Sequence, residues 1–243
     1  MESAIRIENV SKIIGRKKIL RNVSFDACKG EIIGLIGHNG AGKTTLMKII
    51  CGLSSRTSGE IIVNGVRTTK TGNEQCKKMG ALIEQAGLYN EFSGYKNLRL
   101  MSYYYENVSI REIITLLDYV GLKDVMYQKV KTYSLGMKQR LGIAMALLNE
   151  PEILILDEPF NGLDIDAVRD LRAFFEYLST KKGVTIIISS HILDELDKIC
   201  DRGVFINKGE IVGIVDKQTM ITQGFEETYV QIMGKEVRKY GNY

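Results

Sequence analysis

A glycine-rich stretch near the N-terminus constrains this chain more than any other feature. Residues 37–44, Gly-His-Asn-Gly-Ala-Gly-Lys-Thr, match the pattern G-x-x-x-x-G-K-[ST] at every fixed position. An apolar run at 31–36 precedes the stretch, and a helical pattern at 45–50 follows it. In this context, backbone N–H groups and the helix N-terminus bind phosphate oxygens. The sequence therefore predicts a phosphate-binding loop, with Lys43 on the β- and γ-phosphates and the Thr44 hydroxyl on Mg²⁺. The candidate contacts are Gly37, His38, Asn39, Gly40, Ala41, Gly42, Lys43, Thr44 and Thr45.

Length and charge limit the remaining possibilities. A chain of 243 residues with 44% hydrophobic residues is long enough for one large domain with a sizeable core. The formal net charge of +4 is too small to indicate a nucleic-acid partner, and we expect none. The longest runs without a charged residue, 32–42 and 183–193, are eleven residues long. A membrane-spanning helix needs about 20 apolar residues. We therefore expect a soluble protein, or one attached to a membrane through another protein.

The cysteines do not form a zinc-binding pattern. They lie at positions 28, 51, 76 and 200, without C-x-x-C spacing, and the two histidines do not complete a zinc set with them. Reduced thiols are the default for such a chain in the cytosol.

The order of apolar patterns divides the chain into three parts. Residues 1–85 are mostly strand patterns around one helix, and residues 86–150 have helical spacing. Strand and helix patterns alternate again over 151–215, while residues 216–243 have a weak pattern to which we assign no role. The sequence predicts a single α/β domain over 1–243, in which a helical subdomain at 86–150 interrupts a β/α core.

Two acids follow one of the buried strands. The uninterrupted apolar run at 153–156 is typical of a parallel strand covered on both faces, and Asp157 and Glu158 come directly after it. The carboxyl ends of such strands form the ligand-binding edge of an open α/β sheet. There, Asp157 can hold Mg²⁺ and Glu158 can polarise an attacking water. The alternative is that both acids simply cap a strand end beside a turn at Pro159.

Two further polar residues follow predicted elements. Asp164 comes after a turn at 161–163, where it can act as the N-cap of the next helix as well as contact a ligand. His191 follows a second buried strand at 184–188 and can donate a hydrogen bond to a γ-phosphate. The alternative for His191 is a surface residue or helix cap without a ligand.

The segment Ser134-Leu135-Gly136-Met137 begins a long amphipathic helix, predicted at 137–148. Ser134 suits the N-cap position, and Gly136 permits close approach of another backbone. The segment is either an ordinary helix start or a second anion-binding helix N-terminus. Two copies facing each other would use such a second site, because each helix start would close over the γ-phosphate held by the other copy.

The motifs GHNGAGKT, YSLGM, ILILDE and NGLD, with a histidine after IIISS, occur in the order that ATP-binding subunits of ABC transporters show. The sequence resembles that family over about residues 5 to 215. Within the family it looks most like the ATPases of bacterial exporters for lantibiotics and bacitracin-type peptides. The resemblance implies a RecA-like P-loop NTPase core with an antiparallel β-subdomain and an inserted α-helical subdomain.

The resemblance also implies how the protein works. Lys43, Glu158 and His191 would carry out Mg²⁺-dependent ATP hydrolysis, and Asp164 would communicate across a head-to-tail homodimer. Each of two ATPs would contact residues 37–45 of one subunit and the signature residues of the other. Closure of the dimer would drive a separate transmembrane permease from the cytoplasmic face of the membrane. The signature residues are Ser134, Leu135, Gly136 and Met137.

Three positions depart from the family pattern. Ile14 stands where an aromatic side chain usually stacks on adenine, so we expect weak base binding or poor selectivity for ATP over GTP. YSLGM replaces the usual LSGGQ but retains Ser134 and Gly136. Glu84 aligns with the glutamine that contacts Mg²⁺ and the lytic water, and Gln85 follows it, so either residue is a candidate metal ligand.

Two other functions are alternatives to that of a transporter ATPase. A soluble ATPase of the same superfamily acting on nucleic acid or the ribosome usually has coiled-coil insertions or tandem cassettes, and this chain has neither. A non-catalytic nucleotide sensor is disfavoured because Lys43, Asp157, Glu158 and His191 are all present.

Overall fold

A four-stranded antiparallel sheet contains much of the N-terminal part of the chain. The computed structural model describes residues 2–70, 76, 78–105, 108–190, 193–223 and 225–239. In the long first strand, alternate apolar residues such as Ile5 and Ile7 are buried, as expected for a sheet with one covered face. The order in the sheet is β2-β1-β4-β5. Its strands are β1 (Ser3–Ile14), β2 (Lys17–Cys28), β4 (Ser58–Val63) and β5 (Val66–Arg67).

A six-stranded, mostly parallel sheet forms the centre of the molecule. Its order is β10-β9-β3-β8-β7-β6, and only the β9–β10 hairpin is antiparallel. Every residue of β3, β7 and β8 is buried, which explains their uninterrupted apolar sequences. The carboxyl ends of these three strands therefore lie side by side at one edge. The strands are β3 (Ile32–Ile36), β6 (Met79–Leu82), β7 (Ile153–Asp157), β8 (Thr185–Ser190), β9 (Arg202–Asn207) and β10 (Glu210–Asp216).

Helices cover both faces of the central sheet. One face shares a core with α1 and the antiparallel sheet, through residues such as Leu46 and Met47. The other face shares a core with the central helices, through Leu98, Ile113 and Leu141, and with α5 through Phe175. The helices are α1 (Lys43–Ile50), α2 (Gly94–Ser102), α3 (Ile110–Tyr119), α4 (Leu135–Leu147), α5 (Ile165–Lys182), α6 (Leu193–Asp197), α7 (Lys217–Gln223) and α8 (Phe225–Lys239), with 3-10 turns at Lys123–Val125 and Val130–Thr132.

The predicted α/β class and antiparallel sheet are confirmed, whereas several boundaries differ. Helix α1 begins at Lys43 rather than at 45, and α4 begins at Leu135 rather than at 137, because the preceding residues act as their N-caps. In the part of the chain that the structure describes, no helix has the length and apolar composition needed to cross a bilayer.

The C-terminal part is helical where the sequence pattern is weak. Met220 of α7 and Thr228 of α8 are buried. The ring of Tyr229 lies 6.4 Å from that of Phe205 on β9. These helices are stabilised by packing on the β9–β10 hairpin, a contact that their own periodicity does not encode.

A buried arginine, Arg56, lies between α1 and β4 and binds the backbone of the antiparallel sheet and of the residues that follow β5. The Arg56 guanidinium donates from Nε to Gly59 O at 3.0 Å and from Nη2 to Thr68 O at 2.8 Å. Its Nη1 donates to Thr69 O at 2.6 Å and to Thr68 Oγ1 at 3.2 Å. Burial lowers the pKa of Arg56, the direction expected when a cation loses water. The hydrogen bonds to carbonyl groups compensate for that loss.

We expect Arg56→Met to reduce the free energy of unfolding by about 2–4 kcal/mol, because the bonded carbonyl groups would remain buried without donors. Urea unfolding measures this change. The matched control is Arg67→Met, whose guanidinium pairs with Glu60 at 2.7 Å and is 67% exposed. An exposed ion pair contributes about 1 kcal/mol or less. Equal losses in the two variants would contradict a special role for Arg56.

Candidate functional site

The loop at 37–42 links β3 to α1. At two of its positions, only glycine fits without a steric clash. A Cβ on Gly37 would lie 2.3 Å from Ile206 O. Gly42 has φ of +112°, and a Cβ there would lie 2.8 Å from Leu20 Cδ2. Strands β2 and β9 therefore press on the loop from outside, and its tight curl depends on glycine.

Polar contacts also hold this loop against the β9–β10 hairpin. His38 Nε2 lies 2.7 Å from Asn207 Oδ1, and His38 Nδ1 lies 2.9 Å from the carbonyl oxygen of Asn39. The Gly209 N–H donates to Ala41 O at 2.9 Å. The curve of the loop is thus fixed before any ligand binds, which reduces the ordering cost of binding.

The Lys43 side chain is buried beneath the loop. Its Nζ donates to Gly37 O at 2.5 Å and to His38 O at 3.4 Å, and lies 3.9 Å from Glu158 Oε1. Burial lowers the pKa of Lys43, and the negative charges of Glu158 and Asp157 oppose that shift. The ammonium group is therefore poorly solvated and well placed to pair with an anion at the loop.

Thr44 and Asp157 meet at the carboxyl edge of the sheet. Thr44 Oγ1 donates to Asp157 Oδ2 at 2.8 Å, and Ser189 Oγ donates to Asp157 Oδ1 at 2.5 Å. A threonine hydroxyl and an adjacent carboxylate are hard oxygen donors of the kind that Mg²⁺ prefers. Among the described residues, no group of three or more His, Cys, Asp or Glu could hold a metal. The oxygen-donor chemistry of Thr44 and Asp157 fits Mg²⁺.

Glu158 has an unusual, firmly held backbone. Its φ is +51°, a region that non-glycine residues rarely adopt. Its N–H donates to Ser189 O at 3.1 Å and to Ser189 Oγ at 2.9 Å. Its carbonyl oxygen accepts from the Asn161 N–H at 3.2 Å and from Gln139 Nε2 at 3.3 Å. The carboxylate is 19% exposed, so it sits at the site with limited access to water.

Glu84 and Gln85 follow β6 on the neighbouring strand end, and both are exposed. Glu84 has φ of +64°, and its Oε1 lies 2.7 Å from Lys48 Nζ. Lys48 lies one turn beyond Thr44 on the same face of α1. This ion pair holds Glu84 against the helix that carries Thr44, while the choice between Glu84 and Gln85 as a metal ligand stays a prediction.

The predicted signature segment lies at the start of α4. Ser134 is the exposed N-cap, whose Oγ accepts from the Met137 N–H at 3.2 Å, and Leu135 is 68% exposed. Gly136 is buried, and a Cβ there would lie 2.9 Å from Gly162 O. Within the described part of the chain, no hydrogen bond joins residues 134–137 to residues 37–45.

The remaining predicted site residues are Asp164, Ile14 and His191. Asp164 is the N-cap of α5 and accepts from the Ala167 N–H at 2.8 Å, the local role that its sequence context suggested. Ile14 ends β1 and is 57% exposed. His191 lies outside the described residues, although it directly follows β8, which lies between β3 and β7.

The structure adds three residues that sequence reasoning did not single out. Ser189 bonds both Asp157 and Glu158, Gln139 bonds Glu158, and Asn207 bonds His38. Ser189 could have been found from its position, since it lies one residue before the end of β8, the buried strand that precedes His191. Gln139 and Asn207 carry no comparable local signal.

Comparison with known proteins identifies the family. The family model for ABC transporters matches residues 20–161. The lantibiotic transport ATP-binding protein SrtF of Streptococcus pyogenes is 43% identical over 225 residues, covering 93% of this chain and 95% of SrtF. The bacitracin transport ATP-binding protein BcrA of Enterococcus faecalis is 37% identical over 243 residues, covering 100% of this chain and 75% of BcrA.

Solved structures of ATP-binding cassettes have the same fold as this chain. The ATP-binding subunit of an ABC transporter superposes with a TM-score of 0.83 at 30% identity, covering 95% of this chain and 99% of that one. A dimeric ATP-binding cassette in a post-hydrolysis state with ADP and Pi has the same fold, with a TM-score of 0.80 at 23% identity over 88% of this chain and 98% of that one. The predicted P-loop NTPase fold is confirmed. The chain therefore belongs to the ABC transporter family, as an ATP-binding subunit with ATPase activity.

Proposed function

We propose that this subunit hydrolyses ATP to power a separate transmembrane permease, which exports or gives protection against an antimicrobial peptide. Support for the cargo comes from SrtF and BcrA, whose names specify lantibiotic and bacitracin transport. In this proposal the permease holds the subunit at the cytoplasmic face of the membrane. The permease contacts the surface of the subunit beside Glu84 and Gln85. Nucleic acid has no part in the function.

The arrangement at the carboxyl edge of the sheet carries the catalytic part of the proposal. Lys43 binds the β- and γ-phosphates, and Thr44 and Asp157, with Glu84 or Gln85, hold Mg²⁺. The metal, when bound, supplies charge neutralisation on the phosphates. Glu158 accepts the proton of the attacking water, and His191 hydrogen-bonds the γ-phosphate. The support is the cluster of Lys43, Thr44, Asp157 and Glu158, linked by contacts of 2.8–3.9 Å.

ATP in this proposal is held between two copies of the chain in a head-to-tail homodimer. Residues 37–45 of one copy and Ser134, Leu135, Gly136 and Met137 of the other contact each nucleotide, and Asp164 lies at the interface. Exposed Ser134 and Leu135 support this arrangement. Among the described residues, no hydrogen bond joins the loop at 37–45 to residues 134–137 of the same chain. The exposed aliphatic Ile14 predicts a weak contact with the base, and therefore poor discrimination between ATP and GTP.

We further propose that residues 1–243 act as one domain. Its β/α core spans 1–85 and 151–215, and its helical subdomain spans 86–150. Residues 216–243, whose described helices pack on the β9–β10 hairpin, extend the core.

Co-expression with a candidate permease in a peptide-sensitive bacterium tests the proposal. We expect resistance to a lantibiotic or to bacitracin with the wild-type pair, and loss of that resistance when the ATPase carries Glu158→Gln. Membrane fractionation should recover the chain only when the permease is present. Equal resistance with the Glu158→Gln chain would contradict the proposal, and a salt-dependent shift of RNA or DNA would favour the alternative of a nucleic-acid ATPase.

A further inference from the structure

The start of α4 and the turn at 158–163 fit closely together. A Cβ on Gly136 would lie 2.9 Å from Gly162 O, and a Cβ on Gly162 would lie 2.8 Å from Leu135 Cδ2. One turn further along α4, Gln139 Nε2 donates to Glu158 O at 3.3 Å. The helix start therefore contacts both ends of the turn whose first residue is Glu158.

The backbone of Glu158 needs such contacts. A glutamate with φ of +51° is strained, and this conformation persists only where its surroundings determine it. Two donations from its N–H to Ser189 fix one side of the peptide unit. On the other side, the carbonyl oxygen accepts from the Asn161 N–H, within the same turn, and from Gln139. The side chain of Gln139, which lies on α4, thus holds this carbonyl group from outside the turn.

We propose that Gln139 is a positioning residue for Glu158, which it holds from the helix whose first turn contacts the nucleotide of the partner copy. This inference rests on the proposed function. Half-buried Gln139 acts through the backbone of Glu158 and does not touch ATP. Its loss therefore affects the hydrolytic step and leaves nucleotide binding and dimer closure unchanged.

The test compares Gln139→Met with Lys138→Met in steady-state phosphate release. Methionine keeps the length of glutamine and removes its donor. Lys138 lies next to Gln139 on α4, and among the described residues its side chain makes no hydrogen bond to the turn at 158–163. A net hydrogen-bond contribution of the usual size predicts a fall in kcat of about 3- to 10-fold for Gln139→Met. The KM for ATP should stay within about twofold, since uniform binding is untouched. Lys138→Met should leave both constants unchanged.

A second variant and a second readout complete the experiment. Gln139→Glu keeps the shape of the side chain without a donor and should lose at least as much kcat, even if Gln139→Met fails to fold. In a Glu158→Gln background, Gln139→Met should leave the ATP-trapped dimer intact by light scattering. An unchanged kcat in both Gln139 variants, a raised KM at normal kcat, or an equal loss in Lys138→Met would overturn the inference. A wild-type chain without ATPase activity would instead refute the proposed function.

Discussion

Glu158→Gln is expected to abolish ATP turnover while ATP binding remains. The amide has the same shape as the carboxylate but does not accept a proton from water, and loss of a general base costs about 10²- to 10⁴-fold in rate. The backbone donations to Ser189 do not depend on the side chain, so the strained conformation at φ of +51° should persist. The variant should then accumulate as an ATP-bound dimer, because binding proceeds and hydrolysis does not.

Phosphate release measures turnover, and light scattering with ATP and Mg²⁺ measures the dimer. Glu152→Gln is the matched control, because this exposed carboxylate pairs with Lys78 at 3.3 Å, just before β7 and away from the carboxyl edge of the sheet. Glu152→Gln should hydrolyse ATP at the wild-type rate, so that its ATP-bound dimer forms only transiently. Wild-type turnover in Glu158→Gln would refute the assignment of Glu158 as the base.

Lys43→Ala is expected to weaken ATP binding by about 10- to 100-fold, the effect of losing a charge-assisted contact with phosphate. Because the Lys43 side chain is already buried, its ammonium group loses little further water when it pairs with a phosphate. Titration calorimetry with a non-hydrolysable ATP analogue measures the affinity. The substitution should also reduce phosphate release at saturating ATP, because this charge stabilises the transferring phosphoryl group.

The control for this variant is Lys29→Ala, an exposed lysine that pairs with Glu2 at 2.8 Å. Its nucleotide affinity should equal that of the wild type. Normal ATP affinity in Lys43→Ala would count against the phosphate role. An equal loss of nucleotide affinity in both variants would indicate a general effect of net charge.

Contiguous motifs made much of the site predictable. A phosphate loop works through the backbone of consecutive residues, so its sequence carries both its conformation and its chemistry. Strands buried on both faces leave uninterrupted apolar runs, so Asp157 and Glu158 could be placed at a sheet edge beside the loop before any coordinates. The helical start at Ser134 was visible for the same reason, because a capping residue acts within one turn.

The sequence by itself determined the fold class, the loop at 37–44 and the acids at 157–158, because each depends on local order along the chain. Only the tertiary structure decided that Ser189 bonds both acids, that Gln139 holds the Glu158 carbonyl and that Asn207 holds His38. It also decided that α7 and α8 form against the β9–β10 hairpin. These contacts join residues far apart in the chain, and such pairings leave no periodic pattern because they arise only when separate elements pack together.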